Sequence, residues 1–150
     1  MEDRITGEAG RWVMFAANGS LAFWRGGNTR MAVDLAGNVC ATSFTTCSDR
    51  NVKQDFSAVN ALAVLEKVAQ LPIQTWTFKN DPRTKHLGPM AQDFYAAFGT
   101  GADDKHIATV DADGVALAAI QGLNQKVEEK DAEIRNLRVR LEKLEQILSR

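Results

Sequence analysis

The last third of the chain repeats every seven residues, and this repeat constrains the fold more tightly than any other feature. With Ile120 at position a, the a positions hold Ile120, Val127, Ile134, Leu141 and Leu148, and the d positions hold Leu123, Lys130, Leu137 and Leu144. Apolar side chains at a and d form one narrow stripe along a helix, the seam that a second helix covers in a coiled coil. Lys130 alone interrupts it. Lys126 and Asp131, Glu133 and Arg138, and Arg140 and Glu145 carry opposite charges from each g to the following e, which suits parallel helices in register. Each exposed pair contributes only about 0.3–0.5 kcal/mol, so these charges select orientation while the a and d side chains supply stability. Isoleucine and leucine are mixed along the seam, which leaves the number of strands open. An amphipathic helix packed on its own domain is the alternative reading.

The first third has a different period. Turn signals at Asn18-Gly19, Gly26-Gly27-Asn28 and Gly37-Asn38 separate short runs rich in β-branched, aromatic and small residues, at 11–17, 20–25, 31–35 and 39–46. Strands at this spacing predict a meander or the stacked end of a β-spike. A few short strands bury little core by themselves, so the section is expected to depend on neighbouring copies or to be the end of a longer fibre.

Between these two parts the pattern is mixed. Leu62, Leu65, Val68 and Ala69 recur at helical spacing over residues 60–70, with Asn60 placed as a cap and Pro72 beyond the end. Residues 73–79 alternate and read as a strand, followed by a turn at 80–83. A second short helix is expected from Pro89 to near Gly99. Trp76, Phe78, Met90, Phe94 and Phe98 are expected in the core, and Asp111 or Asp113 as the cap of the final helix, predicted from Val115. Asp111-Ala112-Asp113-Gly114 lacks the later acidic ligands of a calcium loop.

Composition sets outer bounds. The chain has 150 residues, 45% apolar and 25% charged, which fits a modest globular core with an extension. A formal net charge of −1 gives no general attraction to nucleic acid or anionic membrane. No basic-then-apolar leader and no membrane-length apolar run is present, so the expectation is a soluble chain with no secretory address of its own. Cys40 and Cys47 are seven residues apart, an odd offset that points them to opposite faces of a strand, so no bond is expected and both are read as small buried or half-buried side chains. With His86 and His106 far apart there is no zinc spacing, and neither a metal nor a cofactor is called for.

At the boundary between β-rich and helix-rich sequence stands Cys47-Ser48-Asp49-Arg50-Asn51-Val52-Lys53. A serine hydroxyl becomes a nucleophile when a base removes its proton, and a lysine serves as that base once burial leaves it neutral. By itself the spacing is also that of an ordinary turn beside a solvated lysine. Further on come Gly88-Pro89-Met90-Ala91-Gln92-Asp93-Phe94 and the run from Val110-Asp111-Ala112-Asp113-Gly114 to Ala119-Ile120-Gln121-Gly122-Leu123. In this order the three motifs resemble the C-terminal intramolecular chaperone domain of phage endosialidases and tail spikes, a self-cleaving peptidase family also found on phage and bacterial fibres. The resemblance runs from about Ser43 to the C-terminus.

The resemblance implies that Ser48 is the nucleophile, Lys53 its base, and Cys47-Ser48 the bond cut. Many members carry arginine three residues after the serine, where this chain has Asn51, with Arg50 one position earlier. Asp49 and Gln92 are the candidate supporting residues; a glutamine on the helix surface, or a buried one held by hydrogen bonds, is the plainer reading of Gln92. His86 is read as a loop residue. The implied architecture is α+β: a β-rich spike remnant at 1–47, a small mixed chaperone and peptidase core at 48–114, and a parallel, trimeric coiled coil at 115–150. Its partners are copies of itself and the upstream fibre of the same chain, with no nucleic acid and no membrane. Its setting is a phage tail fibre or spike precursor made in the host cytoplasm, or a bacterial cell surface. Three functions stay open: a self-cleaving assembly chaperone, a trimerisation module that does not cut, and an adapter whose last helix recruits another coiled-coil protein.

Overall fold

A computed structural model describes residues 11–149; residues 1–10 and 150, which the 1–47 and 115–150 segments include, lie outside the described residues. The chain is α+β, with antiparallel strands and one long C-terminal helix. It divides into two compact units, one running to Asp49 and including Thr77–Lys85, the other formed by Arg50–Trp76 and His86–Arg150.

In the first unit, β1 (Trp12–Ala17), β2 (Ser20–Arg25), β3 (Asn28–Val33) and β4 (Val39–Ala41) form an antiparallel meander in that order. The expected turns provide its hairpins. Asn18 and Gly19 both adopt positive φ, 52° and 76°, as the two-residue turn between β1 and β2 requires. The Asp34 carboxylate accepts from the backbone N–H of Ala36 at 2.9 Å and of Asn38 at 2.8 Å, and from the Asn38 side-chain amide at 3.0 Å. These donors, the Asn38 amide foremost, hold its carboxyl below the ordinary range. Two boundaries differ from expectation. β3 starts at Asn28, because Gly26-Gly27 alone make the turn, and β4 stops at Ala41 instead of residue 46. An edge strand is held by one neighbour only, so side-chain alternation does not set its end. Ala22 is buried, whereas Met14, Phe15 and Leu21 remain exposed.

The second unit is built on a helix pair. α1 (Ala61–Gln70) is capped by Asn60, whose side-chain oxygen accepts from the Ala63 N–H at 3.1 Å. α2 (Ala91–Phe98) starts two residues after Pro89, with Met90 as its N-cap, and ends where Gly99 enters the left-handed region at φ 63°. α3 (Thr109–Leu148) is 40 residues long, about 60 Å at 1.5 Å per residue. It begins six residues before the expected Val115, so Asp113 lies inside the helix, and Asp111 complements the positive end of the first turn without capping it. Asp103 instead organises the preceding loop, accepting from the Lys105 and His106 N–H groups at 2.9 and 3.0 Å.

α1 packs along α3 where Ala61, Ala119 and Gly122 are all buried. Gly122 makes that approach possible: a Cβ there would lie 2.8 Å from the Ala61 carbonyl carbon and 3.0 Å from Leu65 Cβ. Phe94 is 4% exposed and its ring meets Phe98 at 4.9 Å. The expected core is otherwise thinner, with Trp76, Met90 and Phe98 half-buried and Phe78 exposed.

β5 (Gln74–Phe78) is the expected strand, but residues 80–83 are not merely a turn. Asp81 opens β6 (Asp81–Gly88), which pairs with β5 as a two-stranded ribbon, the turn being Lys79-Asn80. Pro82 and the polar residues around it conceal this strand in the sequence. A proline costs no ladder bond when its missing N–H faces the open side of a ribbon. His86 therefore lies on a strand, not in a loop, and stacks on Trp76 with ring centroids 4.7 Å apart.

Candidate functional site

The junction lacks regular structure for a reason visible in its residues. Residues 43–49 have no apolar alternation and no helical period, and they follow the last strand of the meander without joining it. A single 3-10 turn, Arg50–Val52, comes next, closed by the Lys53 N–H donating to the Arg50 carbonyl oxygen at 3.2 Å. Residues 53–59 again have no regular structure, and Asp55 takes φ 57°, a left-handed conformation that short polar side chains tolerate.

Ser48, Asp49 and Lys53 thus fall within one short stretch, with the serine and aspartate just before the turn and the lysine at its close. All three are exposed, and Cys47 is exposed as well. Cys40 and Cys47 are free thiols, as expected, but neither is buried: Cys40 sits on the edge strand β4 and Cys47 beyond its end. Gln92 is the second residue of α2 and is exposed on the helix surface.

The junction is flanked by apolar side chains that water covers in a single chain. Phe44, Val52, Phe56 and Val59 are each between 66% and 73% exposed. The α3 stripe is similar: the apolar a and d residues from Ile120 to Leu148 are 45–85% exposed. Lys130, which interrupts the stripe, is tied to Glu133 on its own helix at 2.7 Å, a pairing that raises the lysine above its ordinary range and lowers the glutamate. Lys126 likewise pairs with Glu129 at 3.1 Å.

Among the described residues no group of three His, Cys, Asp or Glu side chains is placed to hold a metal ion. No helix among them is long and apolar enough to cross a membrane.

Two features escaped the sequence reading. Gly122 lies at a c position of the heptads, where glycine has no seam role, and its offset from Ala119 was the available signal for a close helix contact. Arg25 and Arg30 flank the Gly26-Gly27 turn, and their convergence depends on a slip in strand register that no residue pattern announces.

In comparison with known protein families, the model of peptidase S74, described as chaperone of endosialidase, matches residues 48–101, little more than a third of the chain. The matched segment holds two of the three motifs that carry the resemblance and covers the junction turn, α1, the β5–β6 ribbon and α2; the run from Val110 to Leu123 lies beyond it. No curated protein and no solved structure matches the chain.

Proposed function

We propose that residues 48–114 form an intramolecular chaperone that assembles an upstream fibre or spike segment of the same chain, ending at residue 47. The chaperone then releases itself by cutting Cys47-Ser48. The observation that carries this reading is the family match, whose first matched residue is Ser48. Residues 115–150 are the assembly element, a parallel three-stranded coiled coil in which the exposed Ile, Val and Leu stripe of α3 becomes buried. The match to a chaperone of endosialidase points to a phage tail spike or fibre as its setting.

Cutting proceeds in two steps. Ser48 Oγ attacks the Cys47 carbonyl carbon while neutral Lys53 takes the hydroxyl proton. The Cys47-Ser48 C–N bond breaks, the proton passes to the departing nitrogen, and an ester links Cys47 to Ser48 Oγ. Water then hydrolyses the ester, leaving a carboxylate on Cys47 and restoring the Ser48 hydroxyl. A lysine ammonium in water keeps its proton at neutral pH, so the first step requires Lys53 to lose its hydration. The exposed Val52, Phe56 and Val59 supply the means: subunits that cover these side chains also exclude water from Lys53, which follows Val52 in the chain. Scission therefore reports a completed assembly. The test is direct: purified wild-type chain splits into residues 1–47 and 48–150, whereas Ser48→Ala and Lys53→Ala stay whole. A wild-type chain that remains intact and trimeric for days rejects cutting and leaves a trimerisation module.

The chaperone role follows from the meander. Short strands that bury little within one chain meet chain-entropy and register costs before contacts between chains repay them, so they form slowly and mispair readily. Helices that gather three chains raise their effective concentration and fix the register. Removal of the helices afterwards leaves the closed assembly kinetically trapped.

A further inference from the structure

The four-stranded sheet carries an open cleft of about 590 Å3 whose walls include Trp12, Arg25, Arg30, Thr42 and Ser43. Two guanidiniums reach it for separate structural reasons. Arg25 ends β2 directly opposite Trp12 in the β1–β2 register, and its guanidinium carbon lies 5.5 Å from the centre of the indole ring. Arg30 falls where the β2–β3 register slips: Phe23 faces Met31 and Trp24 faces Thr29, so Arg30 is left opposite no residue. A bulge of this kind re-aims the side chain it carries. Arg30 Nε donates to the Arg25 carbonyl oxygen at 3.3 Å, which fixes one edge of the guanidinium and leaves its two Nη groups as donors.

Among the described residues no carboxylate lines the cleft. Asp34, four residues after Arg30, is committed to its own turn through Asn38. Two planar cations with the Thr42 and Ser43 hydroxyls suit an anion that presents two oxygens, since guanidinium forks match carboxylates.

Scission adds such an anion close to the cleft. On leaving β4 the chain forms the cleft wall at Thr42 and Ser43, then runs through exposed, irregular residues to Cys47. Four extended residues span about 13–14 Å, enough to return the end of that segment to the cleft. Before scission the Cys47 carbonyl is a neutral amide whose path is fixed by the chain beyond it. Hydrolysis consumes one water, breaks the Cys47-Ser48 bond, puts a negatively charged carboxylate on Cys47 and a proton on the Ser48 amine, and frees the strand end.

We propose that Arg25 and Arg30 hold the α-carboxylate that scission creates at Cys47, so that the new C-terminus folds back and clasps the sheet. This rests on the cut at Cys47-Ser48. The cleft then distinguishes product from precursor by charge alone. It secures the end of a sheet whose last strand, β4, is only three residues long.

The full chain made with cysteine labelled at its carbonyl carbon reports both events, because Cys40 and Cys47 are its two cysteines. On scission the Cys47 signal changes from amide to carboxylate while the Cys40 signal, inside β4, reports that the sheet is folded. Titration of the Cys47 carboxylate in the cut wild type should give a midpoint at least about half a unit below the ordinary α-carboxyl value near 3.5, roughly a threefold change in proton affinity. Arg25→Gln and Arg30→Gln should each raise that midpoint without slowing the cut, and 1 M salt should raise it in the wild type. Equal, ordinary midpoints in wild type and both variants overturn the clasp and leave the cutting intact. A wild-type chain whose Cys47 signal never becomes a carboxylate overturns both. If a variant moves the Cys40 signal, the wild-type salt titration decides: a midpoint that is ordinary at low salt and indifferent to added salt refutes the clasp.

Discussion

The same substitution at two glycines of α3 should change stability in opposite directions. Alanine replaces glycine in a helix interior with a gain of about 1 kcal/mol, because it removes backbone freedom from the unfolded chain. At Gly114 nothing lies within 4 Å of the position a Cβ would take, so the gain stands and Gly114→Ala stabilises by about 0.5–1 kcal/mol. At Gly122 the new carbon would meet the Ala61 carbonyl oxygen, with the carbonyl carbon at 2.8 Å and Leu65 Cβ at 3.0 Å. Two of these atoms are backbone and cannot rotate aside, so α1 must move away from α3. Overpacking costs about 1–3 kcal/mol, and a backbone clash belongs at the upper end. Subtracting the helix gain leaves Gly122→Ala destabilised by about 2 kcal/mol. Ala61→Gly should not rescue it, because the obstacle is the Ala61 carbonyl and not its methyl group. Urea unfolding followed by far-ultraviolet circular dichroism, at one protein concentration, measures all of these differences. A Gly122→Ala protein as stable as Gly114→Ala would refute the close crossing of α1 and α3.

Other consequences follow from single contacts. Asn60→Ala removes the cap that the Ala63 N–H uses at 3.1 Å and should cost about 1 kcal/mol in the same unfolding assay. Leu137→Asp puts a charge at a d position in the middle of the apolar stripe, and sedimentation should show the assembly reduced to single chains at micromolar concentration. The carboxyls of Asp34, Asp81 and Asp103 are all held below their ordinary range, chiefly by the Asn38 side-chain amide, the Thr84 hydroxyl and the Lys105 N–H respectively. Depressed carboxylates contribute stability above their unfolded value near 4 and lose it as pH falls through the lower folded values, so unfolding free energy should be level from neutrality to about pH 5 and decline below about pH 4. Lys130, raised by Glu133, behaves oppositely: its contribution is complete below its unfolded value and fades only as pH rises past it.

What the sequence disclosed depended on how local its cause was. Asn60, Gly99 and the Asn18-Gly19 turn act through their own backbone and lie where their chemistry places them. The long helix α3 was legible for the same reason, since helical periodicity is a property of one helix. The start of α3 was not, because the first turn takes its acid inside the helix at Asp111 with no side chain capping it. β6 was hidden by Pro82, whose usual meaning as a breaker fails on a ribbon with an open side. The convergence of Arg25 with Arg30 depends on the slip between Phe23 and Trp24, a non-local fact. At the junction, Ser48 and Lys53 were singled out by a family resemblance, and the exposure of the apolar residues around them emerged only in three dimensions.

The central claim is that covering the junction strips water from Lys53 and so permits Ser48 to cut. Refolding wild-type and Leu137→Asp chains over a range of concentrations, with intact-mass detection of residues 48–150 against time, tests it most directly. The account predicts that the fragment appears in step with assembly, faster at higher concentration, and not at all from the single-chain variant. A single-chain variant that cuts as fast as the assembled wild type would contradict it.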